Sequence, residues 1–495
     1  MTRRLSFLFV ASLVSTGTAQ APTAASTADP LQSLPLTTLS AFRPTSANWR
    51  IAGAATADRS RPLALTDDPG TGVLVNTPAP GARGNLFTTW EHGDLDLSLD
   101  IMMPKGSNSG LYFMGRYEVQ LLDSWGVRAP TFADLGGIYQ RWDDGRGAGR
   151  EGFEGTAPRQ NASRAPGLWQ HLEISFRAPT FKETQKLTNA RFATVRLNGV
   201  VVQENVEVTG PTRAAAFNDE VPTGPLMIQG DHGPIAIRNI RYQARSGVVA
   251  TDSARSPQVA PAPTRPPPGP ILVEPRLEPL VIRSFIRHRG ATRVTAVSVA
   301  DPAGAHFSYD LAQGALLYLW RGPFIETTQM WHSRGDSQTA EPLGSTITLP
   351  GTPALAFLAD GNAAWPDSVD ERQFQRDGYE LDPAGRPTFL YQVRGVAVED
   401  AIRSGADGLS LRRELHLRSA AGAPGPEGLY LQVAEDSRVI RQSDGTYVVG
   451  DGGYYLTLPA GGTEPVIRRK NGRQELLLPV LFEHGEAQVS YTIVW

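Results

Sequence analysis

Arg116, Glu118 and Gln120 stand two residues apart, and Asp123 follows closely. In an extended chain that spacing puts the first three side chains in a row on one face of a strand. A guanidinium, a carboxyl and an amide held side by side by a rigid sheet can bind and orient a polyhydroxylated ligand. The same row also suits a solvated outer face carrying an Arg–Glu pair, and the stretch alone leaves both readings open. His232 lies in a Gly-Asp-His-Gly turn, where it either bonds the backbone, as turn histidines do, or serves a site. The eight histidines are scattered, with no HExxH or similar spacing, and Asp143 and Asp144 with Asp94 and Asp96 define no cation motif. No metal and no cofactor are expected from these patterns, while loop carboxylates leave a divalent-ion site open.

The element that must carry the row is read from its other face. Leu111, Phe113, Gly115, Tyr117, Val119 and Leu121 alternate with the polar positions, which predicts one strand from Leu111 to Leu121 with one side in a core. Similar short runs recur at 72–76, 85–89, 94–102, 136–140, 169–176, 193–197, 200–208, 226–229 and 235–242. Gly, Pro, Asn and Asp separate them. Trp49 marks an edge strand with an aromatic anchor, and Asn198-Gly199 between two Val-rich runs is a hairpin signal. No long 3.6-residue period appears, so the region reads as an all-β sandwich of roughly 200 residues. Two long connections, 142–166 and 210–225, interrupt it, and loops of that length are functional or mobile.

Bulk properties bound the rest. The 495 residues carry a formal net charge of -3, which argues against nucleic acid or an anionic membrane as partner. The chain has no cysteine, which excludes disulfides, thiolate metal sites and a Cys nucleophile. Residues 1–19 have the order of a secretory signal peptide, with Arg3 and Arg4, an apolar run and a small-residue Gly-Thr-Ala site. Periplasmic or secreted localisation follows as an expectation. No later apolar run approaches the roughly 20 residues that span a bilayer. Residues 20–34 read as a flexible tether with order beginning near Leu39, and 35–246 as the first β domain. A Pro-rich linker is expected over 247–279, followed by a second all-β sandwich over 280–495.

Several stretches of the first domain, in order, resemble the 3-keto-disaccharide hydrolase family, a concanavalin A-like jelly roll of exported bacterial proteins. They are Gly110-Leu111-Tyr112 with Tyr117-Glu118-Val119-Gln120-Leu121-Leu122-Asp123, Gly137-Ile138-Tyr139, Pro166-Gly167-Leu168-Trp169-Gln170, Asn198-Gly199-Val200, and Gln229-Gly230-Asp231-His232-Gly233 with Arg238-Asn239-Ile240. The chain departs from the family pattern before Trp169 and by an Asp inserted between Gly230 and His232. The resemblance implies action on glycosides whose ring C3 is a ketone: proton abstraction at C2, expulsion of the C1 oxygen, and hydration of the enone. Such chemistry needs a base, an acid and donors for the enolate. On this resemblance His232 or Glu118 is the base, Asp123 or Glu118 the acid, and Arg116 and Gln120 bind the enolate and hydroxyls. Gln229, Trp125, Tyr139 and Trp142 are candidates for sugar hydrogen bonding and stacking, against the alternative of ordinary core or rim positions.

In the second domain Trp331, His332, Arg334 and Asp336 either line a further carbohydrate site or pack structurally, with the tryptophans between sheets. The alternative to catalysis is a non-catalytic carbohydrate-binding module, or an envelope scaffold hinged at the Pro-rich spacer, since fold does not fix function. A carbohydrate ligand is expected; protein partners are unspecified.

Overall fold

Strands dominate because apolar and polar residues alternate almost everywhere. The computed structural model describes residues 31–245, 269–331, 338–360, 363–421 and 423–495. The expected signal peptide, most of the linker, and His332, Arg334 and Asp336 lie outside the described residues.

The first unit contains β1 (Gln32–Ser33), β2 (Phe42–Pro44), β3 (Trp49–Ala57), β4 (Leu65–Asn76), β5 (Leu86–His92), β6 (Asp94–Met102), β7 (Asn108–Phe113) and β8 (Tyr117–Leu122). Two short strands, β9 (Arg141–Trp142) and β10 (Gly152–Phe153), form a separate hairpin. They are followed by β11 (Trp169–Arg177), β12 (Thr180–Lys182), β13 (Gln185–Thr188), β14 (Ala190–Leu197), β15 (Val200–Val208), β16 (Gly224–Ile228) and β17 (Ile235–Arg245). One sheet runs β15-β14-β11-β6-β17-β4-β3 with β1 added to β17, and a five-stranded sheet runs β2-β5-β16-β7-β8. Their inner faces share one core, with Leu97, Leu172, Phe192 and Ile237 from the larger sheet meeting Leu86, Leu111, Val119 and Ile228 from the smaller. Phe113, Phe176 and Phe192 cluster there with ring centroids 5.0 to 5.3 Å apart, each such pair adding about 0.5–1.5 kcal/mol beyond its burial. The architecture is the expected all-β jelly roll, and Trp49 opens an edge strand.

The predicted strand through Gly115 is instead a hairpin. Met114 and Gly115 take φ of 56° and 68°, and Arg116 N–H donates to Phe113 O at 2.9 Å, a turn whose twist suits paired strands. The apolar parity survives because Phe113 and Tyr117 face each other across the pair, so both strands turn the same residues inward. The 136–140 run is likewise an isolated bridge through Ile138, to Val119 and Thr156, and not a strand. Order also begins earlier than Leu39, since Gln32–Ser33 pairs with Tyr242 and Arg241.

The second unit is also built of antiparallel strands, and its order begins inside the expected linker, where Leu272–Val273 pairs with Ile325–Glu326. Five-, eight- and four-stranded sheets enclose one core that includes Val297, Phe389, Leu415 and Leu476. Trp320 is fully buried, its Nε1–H donating to Phe324 O at 3.0 Å, whereas Trp331 is 68% exposed. The two units touch through polar and apolar contacts. Trp125 Nε1–H donates to Trp495 O at 2.9 Å, Tyr455 Oη–H to Pro166 O at 3.0 Å, and Ala165 and Leu168 pack with Tyr455 and Val494.

Candidate functional site

Register on the five-stranded sheet decides which side chains share its outer face. Tyr112 pairs with Glu118, Gly110 with Gln120 and Asn108 with Leu122, while Met227 pairs with Tyr112. Directly opposed residues point the same way, so Asn108, Tyr112, Glu118, Gln120 and Met227 form one surface, facing away from the Leu111, Val119 and Leu121 side. Tyr139 joins it, because Tyr139 N–H donates to Glu118 O at 3.1 Å beside the Val119–Ile138 bridge. Gln229 extends the surface on the other side, its N–H donating to Gly110 O at 2.9 Å.

Glu118 is the unusual member. It is 2% exposed, and among the described residues its Oε2 has no hydrogen-bond partner. Burial, with the nearby Asp231 carboxylate adding to it and the Tyr112 phenol opposing it, pushes its carboxyl up to about 8. A carboxyl in that state is protonated at neutral pH and can donate a proton. The Tyr112 phenol beside it is itself pushed well above its ordinary value by burial and by the Glu118 charge, and its Oη–H donates to Arg213 O at 3.3 Å. Gly110 makes the arrangement possible: a Cβ there would collide with Glu118 Oε1 and lie 3.0 Å from Tyr112 Cε2.

Asp231 reaches the same place from the turn after β16, and its Oδ1 bonds His232 Nδ1 at 2.6 Å. That bond leaves Nε2 of the half-exposed His232 as the ring nitrogen open to a ligand. The turn is anchored at its flanking glycines by a buried amide network. Asn76 Nδ2–H donates to Gly230 O at 3.2 Å and Gly233 O at 2.9 Å, and Asn48 Nδ2–H donates to Asn76 Oδ1 at 2.7 Å. Asn85 Oδ1 accepts from Gly230 N–H at 3.0 Å. Asn76 is fully buried and Asn48 2% exposed, so loss of the amide strands backbone carbonyls in a dry interior. Asn76→Ala is expected to cost about 1–3 kcal/mol in urea unfolding, because the turn that carries the Asp231–His232 pair loses its anchor. Unchanged stability would remove the network from this role.

The remaining predicted residues separate into neighbours of this surface and struts around it. Gln120 lies on the face beside Gly110, its Nε2–H donating to Asn108 Oδ1 at 2.9 Å. Trp142, 37% exposed, stands at the rim with the Arg213 guanidinium 3.7 Å from its ring centre, and Tyr139 packs edge-on against Phe132. Arg116 sits in the hairpin turn. Its Nη1–H donates to Met114 O, and Nε–H and Nη2–H to Asp219 O and Oδ1, each at 2.6 Å, so its guanidinium ties down the 210–225 connection. Asp123 accepts from Gly106 N–H at 2.9 Å and holds the turn before β7. Its carboxyl is raised by burial. Trp125 lies at the junction between units, bonded to Trp495 O. The surface therefore gathers Glu118, Gln120, Tyr139 and Gln229, with Asp231 beside Glu118, His232 bonded to Asp231 and Trp142 at the rim.

Sequence reasoning missed Tyr112, Asp231 and the three asparagines. Tyr112 was hidden by reading the hairpin as one strand, and Asp231 stood in view as the inserted residue. The asparagines carry no periodic signal, since their work is to bond backbone. Among the described residues no group of three or more His, Asp or Glu is placed to hold a metal ion, and no helix is long and apolar enough to cross a membrane.

Residues 42–243 match the family model of the 3-keto-alpha-glucoside-1,2-lyase-like domain. No curated protein matches the chain. Among solved structures, two candidate glycosyl hydrolases from Parabacteroides distasonis ATCC 8503 align at 23% and 19% identity. The first alignment covers 43% of this chain and 84% of the other at a TM-score of 0.31; the second covers 43% and 100% at 0.28. A carbohydrate-binding module, CBM66 from Bacillus subtilis, aligns at 9% identity over 41% of this chain and 96% of its own, with a TM-score of 0.23. The family match places a carbohydrate-active domain on the jelly-roll unit.

Proposed function

We propose that the jelly-roll unit cleaves glycosides already oxidised to a ketone at C3, by elimination across C1 and C2 followed by hydration. The observation that carries this reading is the Glu118 carboxyl, buried and raised to about 8 with one oxygen unpartnered among the described residues, beside the Asp231–His232 pair. The ketone acidifies the C2 hydrogen. His232, oriented by Asp231, takes that proton through Nε2, and the C2–H electron pair delocalises onto the C3 oxygen as an enolate. Collapse of the enolate forms the C1–C2 double bond and expels the C1 oxygen, which takes its proton from Glu118. Water then adds to C1 of the enone, releasing the 3-keto sugar. Gln120 and Gln229 serve as hydroxyl and enolate donors, and Trp142 as a ring platform at the rim. The leader-like N-terminus supports action in the periplasm or outside the cell.

The test is incubation of the full chain with a 3-keto-glucoside and with the same glucoside unoxidised, following release of the aglycone and transient enone absorbance. Release from the keto substrate alone, with the enone detectable, is expected. Equal release from both substrates, or none from either, would sink the elimination route.

A further inference from the structure

Tyr112 has no part in the proton transfers above, although it lies buried against the carboxyl that performs one of them. It stands directly across from Glu118 in the β7–β8 pair, and a Cβ at Gly110 would crowd both side chains at one point, through Glu118 Oε1 and Tyr112 Cε2. A phenol in so dry a place must send its hydrogen to an acceptor. In the structure that acceptor is Arg213 O at 3.3 Å, a long and weak bond for an O–H donor.

The acceptor is itself fixed. Arg213 N–H donates to Gln140 O at 2.9 Å, and the adjoining Thr212 holds Glu118, its Oγ1 accepting from Glu118 N–H at 3.2 Å and donating to Arg116 O at 3.0 Å. The Thr212–Arg213 segment therefore touches both members of the pair. A hydroxyl hydrogen rotates to suit its acceptors, and here two are within its compass, Arg213 O and the Glu118 carboxyl. Protonated, Glu118 carries a hydrogen of its own and can donate to the phenol oxygen; ionised, it only accepts, and it outcompetes a neutral carbonyl. Burial drives the carboxyl upward, the Tyr112 phenol pulls it back, and Asp231, bonded to His232 in the turn after β16, adds to the rise. Tyr139 and Asp231 also face the phenol.

We propose that Tyr112 is a positioning residue for the acid step: its phenolic hydrogen turns from Arg213 O to Glu118 as that carboxyl gives up its proton, and so steadies the carboxylate that forms. The phenol keeps its own proton throughout. The single proton transferred is that of Glu118, which passes to the leaving oxygen. Because this role rests on Glu118 acting as the acid proposed above, the decisive test reads the carboxyl itself and needs no turnover.

That test is an isotope-edited NMR titration of the glutamate carboxyls in the full chain, for wild type, Tyr112→Phe and Tyr139→Phe, with the Glu118 resonance identified by its absence in Glu118→Gln. Phenylalanine keeps the ring that packs at Gly110 and removes only the hydroxyl. In Tyr112→Phe the Glu118 midpoint is expected to rise above its value of about 8 by about one to two pH units. In Tyr139→Phe, which removes a phenol from the same surface, it is expected to stay in place. An unmoved midpoint in Tyr112→Phe, or an equal rise in both variants, would overturn the proposal. With a 3-keto-glucoside, the falling limb of the pH–rate profile should move up with the midpoint in Tyr112→Phe and kcat drop about three- to tenfold. Loss of packing alone would lower kcat without moving the limb. A wild type without turnover would count against the elimination reading, while the titration still decides whether the phenol bonds the Glu118 carboxylate.

Discussion

Glu118→Gln is expected to lower turnover of a 3-keto-glucoside by about 10²–10⁴-fold while leaving the fold intact. Glutamine keeps the volume and a hydrogen-bonding head, so the Gly110 recess stays filled, but it has no proton to deliver to the leaving oxygen. The pH dependence distinguishes the roles open to this residue. With its carboxyl raised to about 8, an acid role requires the protonated form, and the rate in wild type falls as pH rises through about 8. A base role would give the opposite limb, rising towards 8. A profile that rises through this range would transfer the acid role away from Glu118.

The same raised carboxyl makes a statement about stability, read by urea unfolding across pH. In the unfolded chain Glu118 loses its proton near the ordinary value of 4.5, whereas the folded chain holds it to about 8. Between those limits the native state binds more protons than the unfolded state, so this group's contribution is full below about 4.5 and is lost as pH climbs through 8. For a carboxyl this deeply buried the span is on the order of 5 kcal/mol. The Glu118→Gln variant should lack that decline, and an identical pH slope in both proteins would contradict the buried, protonated state.

What the sequence discloses is set by how each residue is used. The inward row of Leu111, Phe113, Tyr117, Val119 and Leu121 was legible because burial imposes a strict period of two. The turn in its middle was not, because Met114 and Gly115 bring Phe113 and Tyr117 face to face and the period continues through the reversal. Asn198-Gly199 was legible as a hairpin since both residues take positive φ, 51° and 84°. In the second unit the strand Val396–Ser404 carries Asp400, fully buried, at a core position of its alternation, where a carboxylate interrupts the apolar period. Asp400 is held there by the Arg413 guanidinium at 2.5 Å and the Tyr309 hydroxyl at 2.8 Å, and no pattern in one strand reports a partner on another. The site shows the same division. Glu118 and Gln120 were found by spacing, whereas Arg116 and Asp123, equally polar and equally close in sequence, bond a loop and a turn. Which polar groups are already committed to backbone is a property of the tertiary fold.

Gly110→Ala is the sharper probe of the site, because it adds one carbon and removes nothing. Gly110 does not have a positive φ, so alanine is compatible with the backbone and brings no αL strain. The added Cβ nevertheless collides with Glu118 Oε1 and crowds Tyr112 Cε2 at 3.0 Å. Glu118 is walled in at 2% exposure and Tyr112 at 1%, and a packed interior relieves such overlap only by moving side chains off their rotamers, at a cost of about 1–3 kcal/mol. The carboxyl is the atom group nearest the new carbon, so it is the one displaced. A misplacement of about 1 Å at a proton-transfer group is worth on the order of 10²-fold in rate. The expected result is therefore a kcat loss of about that size with modest destabilisation. Combining Gly110→Ala with Glu118→Gln should add little further loss, since both changes disable the same proton transfer. Multiplicative losses in the double variant would mean that Gly110 shapes the site through Tyr112 or the substrate, independently of the Glu118 carboxyl.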